Sequence, residues 1–279
     1  MGALYLPATL AHSHPPRDNL EMAIAVITGA STGIGREFAH ICAERGYDLV
    51  LVARSAQALE DLAAGIRDKS GRNVRVIALD LSAVDAPPRL GDNLSDVAQD
   101  IEILINNAGF GLTGFFSELD TEKQMEMVHL NIGALTHLSR LFLPAMIVRK
   151  KGYILNVAST AAFQPGPLMA VYFASKAYVV MLSEALHNEL RDKGVIVTTL
   201  CPGPTRTEFQ SRAGMDASKL FSGPNVMDAR TVAEIGFRAM MVGKSLVVAG
   251  RLNALMVFLT RFAPRQLAAS MARKLAEHA

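Results

Sequence analysis

The chain has little cysteine and almost no net charge. Only two cysteines, Cys42 and Cys201, occur among 279 residues, and both lie in apolar surroundings far apart in sequence. This favours two buried thiols in a reducing compartment over a disulfide framework. The formal charge of +2 gives no overall electrostatic argument for nucleic acid binding. We therefore expect a cytoplasmic protein that does not bind nucleic acid.

Charged residues are also scarce, and the sequence contains neither an internal repeat nor a low-complexity tract. Charged residues make up 19% of the chain and apolar residues 50%, which predicts a globular and not a disordered protein. A chain of 279 residues is long enough to bury one large core, and two small domains are the alternative.

The first 21 residues lack the basic region and long apolar core of a secretory signal. Leu6 stands where a myristoylation motif requires serine or threonine. We predict a mobile leader over residues 1–21. Met22 directly opens the first predicted strand, so a start of translation there is an alternative.

No metal site is predicted. His12 and His14 form a short His-x-His pattern inside the leader, and we interpret them as solvated side chains. His129 and His137 fall in one predicted helix without a partner at metal-ligand spacing, so both are interpreted as structural.

Apolar runs of strand length alternate with helical stretches. The runs are nearly continuous, as in strands that are buried on both faces of a parallel sheet. The predicted strands are Ala23–Thr28, Leu49–Ala53, Val74–Leu79, Ile101–Asn106, Tyr153–Val157, Val195–Leu200 and Leu246–Ala249. The predicted helices are Ile34–Arg45, Gln57–Lys69, Thr121–Arg149, Met169–Arg191 and Thr231–Val242. This order predicts an α/β fold, a single doubly wound Rossmann-type domain over residues 22–250 with a mostly parallel, seven-stranded sheet.

A glycine-rich segment, Thr28–Gly35, joins the first strand to the first helix. Glycines at such a junction permit a tight turn and let backbone N–H groups approach a pyrophosphate at the helix N-terminus. The spacing is Gly-x-x-x-Gly-x-Gly, and the alternative is a structural turn without a ligand. The candidate cofactor-binding residues here are Gly29, Ser31, Thr32, Gly33, Ile34 and Gly35.

Arg54 ends the second strand, where an NAD-binding protein carries an acid for the ribose 2′-hydroxyl. A guanidinium there, with Ser55 beside it, would instead pair with the 2′-phosphate of NADP. The alternative is a solvated arginine. Asp80 and Leu81 end the third strand, where an acid can meet the adenine edge, although a plain turn aspartate fits nearly as well.

Tyr172 and Lys176 lie four residues apart in a predicted helix, so their side chains share one helix face. A phenol with a pKa near ~10 is a poor acid–base catalyst at neutral pH. A neighbouring ammonium favours the phenolate, so we expect Lys176 to lower the pKa of Tyr172. The alternative is a packing tyrosine with a solvated lysine.

The glycine-rich segment and the pair Tyr172 and Lys176, together with two further motifs, resemble those of the short-chain dehydrogenase/reductase family. The resemblance extends from Met22 to Val248. Asn106–Gly109 is similar to the family motif that closes strand four, and Pro202–Thr205 to the motif that follows strand six. Ser159 ends strand five, before Tyr172 and Lys176, so the motifs occur in the family's order.

The resemblance implies a catalytic tetrad of Asn131, Ser159, Tyr172 and Lys176. Tyr172 would exchange a proton with the substrate oxygen, Lys176 would lower its pKa and bind the nicotinamide ribose, and Ser159 would orient the carbonyl. Asn131 would locally distort its helix and support a water in the proton relay. Ser159 and Tyr172 would contact the substrate. Further cofactor contacts would come from Asn107, Ala108, Gly109, Tyr172, Lys176, Pro202, Gly203 and Thr205.

Gly203–Arg230 is the longest irregular segment inside the fold, and segments of this kind often form lids or binding loops. The resemblance implies that this one covers the substrate pocket. Its apolar and basic side chains would suit a hydrophobic carbonyl compound, including one that bears an acid or a thioester carrier. They are Arg206, Phe209, Arg212, Met215, Lys219, Leu220 and Phe221. Steroids, acyl chains, sugars and small ketones all remain alternatives.

The last part of the chain, residues 251–279, is predicted to be an amphipathic helical extension. From Lys244 onward there are six lysines or arginines and one acid, Glu277. Apolar residues at helical spacing are Leu252, Leu255, Met256, Leu259 and Phe262. We expect this helix to pack over the pocket or against another subunit. The alternative is weak contact with a membrane surface, which a basic amphipathic helix can make.

Together these features predict an NADP(H)-dependent oxidoreductase that interconverts a carbonyl and an alcohol, with a small-molecule substrate. A non-catalytic NADP-binding regulatory protein is one alternative, and a peripheral membrane reductase of lipid or acyl ketones is another. The resemblance also implies a homodimer or homotetramer that forms through the helices Thr121–Arg149 and Met169–Arg191.

Overall fold

A computed structural model of the chain describes residues 23–213 and 226–277. The predicted leader and Met22 lie outside the described residues. Seven parallel strands form one sheet. They are β1 (Ile24–Thr28), β2 (Asp48–Ala53), β3 (Val74–Ala78), β4 (Ile101–Asn106), β5 (Gly152–Val157), β6 (Val195–Cys201) and β9 (Leu246–Val248). Their order in the sheet is β3-β2-β1-β4-β5-β6-β9. Two short strands, β7 (Thr205–Arg206) and β8 (Met227–Asp228), form a separate parallel pair.

Helices cover both faces of the large sheet. They are α1 (Gly33–Glu44), α2 (Ala56–Ser70), α3 (Ala86–Asn93), α4 (Thr121–Val128), α5 (Leu135–Arg149), α6 (Ala170–Leu190), α7 (Phe209–Arg212), α8 (Ala229–Met241), α9 (Arg251–Thr260) and α10 (Arg265–Glu277). Single 3₁₀ turns lie at Thr160–Phe163 and Arg191–Lys193.

Successive residues of each central strand enter two different cores. In β1, Ala25 and Ile27 join the core beneath α1, α2 and α8. Ile24 and Val26 join the core beneath α3 and α5. A strand that is buried on both faces carries no polar alternation, which is why the apolar runs are continuous. The predicted fold class and the seven strands are confirmed, and every strand boundary falls within one residue of its predicted position.

Helices α3 and α7 and strands β7 and β8 were not predicted. Helix α3 begins with a proline in its first turn, at Pro87. A proline is tolerated there because the first N–H groups of a helix have no intrahelical partner. The β7–β8 pair lies within the predicted irregular segment and places its two ends side by side. Met215, Lys219, Leu220 and Phe221 of that segment lie outside the described residues.

The predicted helix Thr121–Arg149 is one continuous helical stretch with an irregular centre. A π-helical segment over His129–Ala134 separates α4 from α5, and Asn131 lies in it. The predicted local distortion at Asn131 is therefore present. By length and composition alone this stretch would also suffice to cross a membrane. In the fold, however, Leu138, Phe142 and Met146 pack into the core, as in the core helix of a globular domain.

Candidate active site

A cavity of about 760 Å³ lies at the carboxyl ends of the parallel strands. This is the edge at which open α/β sheets bind their ligands. Residues that follow six different strands line it, and they include almost every predicted site residue. These are Gly29, Ser31, Thr32, Gly33, Ile34, Arg54, Ser55, Asp80, Leu81, Asn107, Ala108, Gly109, Ser159, Tyr172, Lys176, Pro202, Gly203 and Thr205. Gly35 and Asn131 do not line the cavity, so any role of theirs is indirect.

The glycine turn has the geometry of a phosphate cradle. Gly29 and Gly33 have φ values of +64° and +56°, which favour glycine over other residues. Gly35 is required for a different reason, because a Cβ atom there would lie 2.3 Å from the Gly29 carbonyl oxygen. The Thr32 side chain at the N-cap of α1 makes no capping hydrogen bond to a described residue. The first turn of α1 therefore presents N–H groups and a positive helix end to the cavity.

Asn107 holds this turn in place. Its side-chain amide donates hydrogen bonds to the carbonyl oxygens of Thr28 (3.0 Å) and Gly29 (3.1 Å). The Thr28 hydroxyl in turn accepts from the backbone N–H groups of Asn107 and Ala108, both at 3.0 Å. The motif after β4 and the glycine turn after β1 are thus one hydrogen-bonded unit.

Arg54 stands at the rim of the cavity, with a side chain that is 71% exposed. Its Nη1 atom lies 3.9 Å from Oδ2 of Asp80, a loose ion pair in solvent. Asp80 also accepts hydrogen bonds from the backbone and hydroxyl of Ser82. Ser55 caps α2, because its hydroxyl accepts from the N–H of Ala58. The Arg54 guanidinium therefore remains accessible to a further anionic group.

Tyr172, Lys176 and Ser159 converge at the other end of the cavity. Tyr172 is buried, and the Ser159 side chain lies close enough to its hydroxyl to lower the pKa of the phenol in part. The Lys176 ammonium lies 5.8 Å from the centre of the Tyr172 ring and donates to the Val157 carbonyl oxygen at 2.9 Å. The Ser159 hydroxyl also accepts from the N–H of Ala161, which fixes its orientation.

The pKa of Tyr172 moves in the direction opposite to the sequence prediction. Burial raises it to about 12, although the nearby Ser159 side chain lowers it in part. Burial also lowers the pKa of Lys176 to about 8. For both pKa values, desolvation outweighs the attraction between the Lys176 ammonium and a Tyr172 phenolate. Both side chains lie inside the protein, and the ammonium is hydrogen-bonded to the Val157 carbonyl oxygen. In this structure Tyr172 is a protonated phenol at neutral pH.

Both the nitrogen and the oxygen of the Asn131 side-chain amide form hydrogen bonds. Its amide donates to the Phe110 carbonyl oxygen and to the Ser175 hydroxyl, each at 3.0 Å, and its oxygen accepts from the Phe110 N–H. A Cβ atom on Gly109 would lie 2.9 Å from this oxygen and 3.4 Å from Lys176 Nζ. The side chain thus fixes the loop after β4 beside Lys176. Its predicted role toward a water stays a prediction.

The apolar end of the cavity contains residues that the sequence analysis did not assign to the site. Phe110, Met169 and Phe173 line it, together with Phe209 from the predicted covering segment. The terminal helices contribute Leu252, Asn253, Met256, Val257, Thr260 and Ala272. Their helical apolar spacing was visible in sequence, but spacing alone did not distinguish a cavity wall from a subunit or membrane contact. The structure shows that one side of α9 faces the cavity.

The pKa of Lys176 supplies a stability test. Between pH 8 and 10.5 the unfolded chain binds a proton at this lysine that the folded protein does not, so folding stability rises with pH. The variant Lys176→Met loses this contribution. We expect the stability of the wild type relative to the variant to increase across this window by up to about 3 kcal/mol.

Urea unfolding of both proteins at several pH values measures this difference. Lys123→Met, at an exposed lysine of α4, controls for removing a lysine. A difference between wild type and Lys176→Met that stays constant over the window would contradict the burial argument.

The chain is similar to known proteins in both sequence and fold. Residues 23–217 match the family model for short chain dehydrogenases. A very-long-chain 3-oxoacyl-CoA reductase of Rattus norvegicus is 35% identical over 182 residues, which cover 64% of this chain and 58% of that protein. A 17-beta-hydroxysteroid dehydrogenase type 3 of Mus musculus is 38% identical over 181 residues, with the same coverage of both chains. The matched part thus spans less than two thirds of the length of these relatives.

Solved structures agree in fold over most of the chain. A short-chain dehydrogenase from Sphingobium yanoikuyae in complex with NADPH has a TM-score of 0.76 at 34% identity, covering 86% of this chain and 95% of that one. A short-chain dehydrogenase/reductase from Burkholderia phymatum in complex with NAD also has a TM-score of 0.76, at 28% identity, covering 86% and 92%. With a family match over residues 23–217, the chain belongs to the short-chain dehydrogenases, oxidoreductases that act on hydroxyl and keto groups with a nicotinamide cofactor.

Proposed function

We propose that the protein is an NADPH-dependent reductase of a hydrophobic carbonyl compound. One observation carries this proposal: a single cavity has an accessible guanidinium, Arg54, at one end and Ser159, Tyr172 and Lys176 at the other. The first group suits the 2′-phosphate that distinguishes NADP from NAD. The second suits proton transfer to a carbonyl oxygen.

The residues of the cavity fit a dinucleotide. The glycine turn leaves no room for a Cβ atom at Gly35 and exposes the N-terminus of α1, as the close approach of a pyrophosphate requires. Arg54 would hold the 2′-phosphate, and Lys176 would hold the nicotinamide ribose. When bound, the cofactor supplies the hydride.

Tyr172 is the proposed proton donor. Burial keeps its pKa at about 12, so the phenol holds its proton at neutral pH. Hydride addition converts a carbonyl oxygen into an alkoxide, which is a far stronger base than a phenolate. Transfer of the Tyr172 proton to that oxygen is therefore favourable, and it supports the reductive direction. Ser159 would donate a hydrogen bond to the same oxygen as charge develops.

An apolar substrate is proposed from the lining of the cavity. Phe110, Phe173, Phe209, Leu252 and Met256 surround the end that contains Tyr172. Side chains of this kind bind an acyl chain or a fused-ring ketone better than a sugar. The two curated relatives are named for 3-oxoacyl-CoA and hydroxysteroid substrates, which supports the same class.

Replacing Arg54 tests the cofactor part of the proposal. A charge-assisted contact with a phosphate contributes roughly 1.5–3 kcal/mol, so Arg54→Ala should raise the Kd of NADPH about 10- to 100-fold. NADH lacks the phosphate, and its Kd should change by no more than about twofold. Fluorescence titration of both nucleotides measures this. Arg89→Ala, at an arginine of α3 outside the cavity, is the matched control. Equal weakening of both nucleotides would refute NADP selectivity.

We also propose self-association through α5 and α6. Val148 and Met181 are 79% and 64% exposed on these helices, and apolar side chains of this kind often mark subunit contacts. The choice between dimer and tetramer and the cytoplasmic location stay predictions.

A further inference from the structure

The terminal helices carry a concentrated exposed apolar surface. Half of the large apolar side chains that are exposed in the described residues, eight of sixteen, belong to residues 252–271. We define the C-terminal patch as those that do not line the cavity: Leu255, Phe258, Leu259, Phe262, Leu267 and Met271. Phe258 and Phe262 stack edge to face at 5.3 Å and are 51% and 72% exposed. A cluster of this kind on a protein surface marks an interaction site.

Exposed basic side chains lie at the ends of the helices that carry the C-terminal patch. Arg251, Arg261 and Arg265 are exposed at the ends of α9 and at the start of α10. In residues 23–213 and 226–277, none of these three arginines has an ion-pair partner. The sequence from Lys244 onward contains six basic residues and only one acid. The partner of this surface should therefore combine an apolar layer with negative charge.

The C-terminal patch also adjoins the mouth of the cavity. Leu252 and Met256 line the cavity and yet are 47% and 56% exposed, so they lie at its opening. Leu255 and Leu259, on the neighbouring turns of α9, continue this apolar surface outward. An apolar molecule that leaves the cavity on this side would therefore pass along the C-terminal patch.

We propose that the C-terminal patch docks on an anionic lipid bilayer. The apolar side chains would enter the interface between headgroups and acyl chains, and the three arginines would contact the headgroups. A symmetric contact with a second copy would bring the same basic groups of both chains together, which is unfavourable. Docking would turn the cavity mouth toward the bilayer, so that a lipid-derived ketone reaches Tyr172 from the membrane. This last step rests on the proposed function, whereas docking itself does not.

Vesicle co-sedimentation of the full chain tests docking without any turnover. The probes are vesicles of phosphatidylcholine alone and vesicles of phosphatidylcholine and phosphatidylglycerol in equal parts. We expect binding to the anionic vesicles at least about tenfold tighter than to the neutral ones, and weaker at high salt. Phe258→Ser/Phe262→Ser should weaken it about tenfold or more, as should Arg251→Glu/Arg261→Glu/Arg265→Glu.

Val84→Ser/Val242→Ser is the matched control, because both valines are more than half exposed and lie outside α9 and α10. It should bind vesicles like the wild type. Turnover of a water-soluble ketone is measured in parallel and should be unchanged in the Phe258→Ser/Phe262→Ser variant, whose two positions do not line the cavity. A wild-type protein that turns over no ketone, water-soluble or hydrophobic, would count against the proposed function and leave docking intact.

Two outcomes would overturn docking. One is a wild-type protein that stays in the supernatant with both kinds of vesicle. The other is a Phe258→Ser/Phe262→Ser variant that binds vesicles normally but changes its oligomeric state in light scattering, which would make the patch a contact between copies.

Discussion

Tyr172→Phe should reduce kcat at least about 100-fold and up to about 10⁴-fold, because general acid catalysis contributes on this scale. The substitution removes only the hydroxyl. The ring keeps its contacts with Phe173 and Phe209, whose centroids lie 6.1 and 5.4 Å away, so the cavity should retain its shape. The Kd of NADPH should therefore stay within about threefold of the wild type. Steady-state NADPH oxidation and fluorescence titration measure the two quantities.

Tyr178→Phe is the matched control for this experiment. Tyr178 lies on the same helix and loses a hydrogen bond of 3.0 Å with Thr136, but it does not line the cavity. We expect near-normal kcat from this variant. If Tyr172→Phe kept more than a tenth of the wild-type kcat, another group would have to donate the proton.

Gly35→Ala should disable cofactor binding although Gly35 lies behind the cavity wall. The added Cβ would lie 2.3 Å from the Gly29 carbonyl oxygen and 2.4 Å from the Asn107 side-chain nitrogen. Both atoms belong to the unit that holds the glycine turn, so the turn itself must shift. Overpacking of this kind costs about 1–3 kcal/mol, and we expect the Kd of NADPH to rise about 5- to 150-fold. Titration calorimetry measures the change.

Gly65→Ala controls for the glycine substitution. Gly65 lies within α2, where a Cβ atom would meet nothing within 4 Å. This variant should bind NADPH like the wild type and gain about 0.5–1 kcal/mol of stability. Normal NADPH binding by Gly35→Ala would mean that the cofactor does not use this turn.

The fold and the residues at one end of the cavity were accessible from sequence for a physical reason. Strands buried on both faces are continuously apolar, so β1 to β6 and β9 could be read directly. A βα turn carries its glycines within a few consecutive residues, so the place of Gly29 and Gly33 at the sheet edge could be predicted without tertiary information. The same holds for Arg54, because the end of a predicted strand fixes its position at the sheet edge.

Features that depend on burial or long-range packing were less accessible. The spacing of Tyr172 and Lys176 indicates a shared helix face but not how deeply that face is buried. The predicted direction of the shift in the Tyr172 pKa was therefore wrong. The role of Asn131 in fixing Phe110 depends on a contact between residues 21 positions apart. The end of the chain folds back over the site and so places one side of α9 against the cavity. This long-range packing could not be predicted from the spacing of apolar residues.

The most direct test labels the transferred hydride with deuterium and compares the wild type with a variant that lacks the proposed proton donor. The protein is incubated with NADPH that carries deuterium at both C4 positions and with a panel of 3-oxoacyl thioesters, steroid ketones and small ketones. We expect the wild type to form, from at least one hydrophobic ketone, an alcohol with one deuterium on the carbinol carbon, detected by mass spectrometry. Tyr172→Phe, which binds NADPH equally well, should form almost none. Deuterated alcohol at equal rates from both proteins, or tight NADPH binding with no labelled product from any ketone, would contradict it.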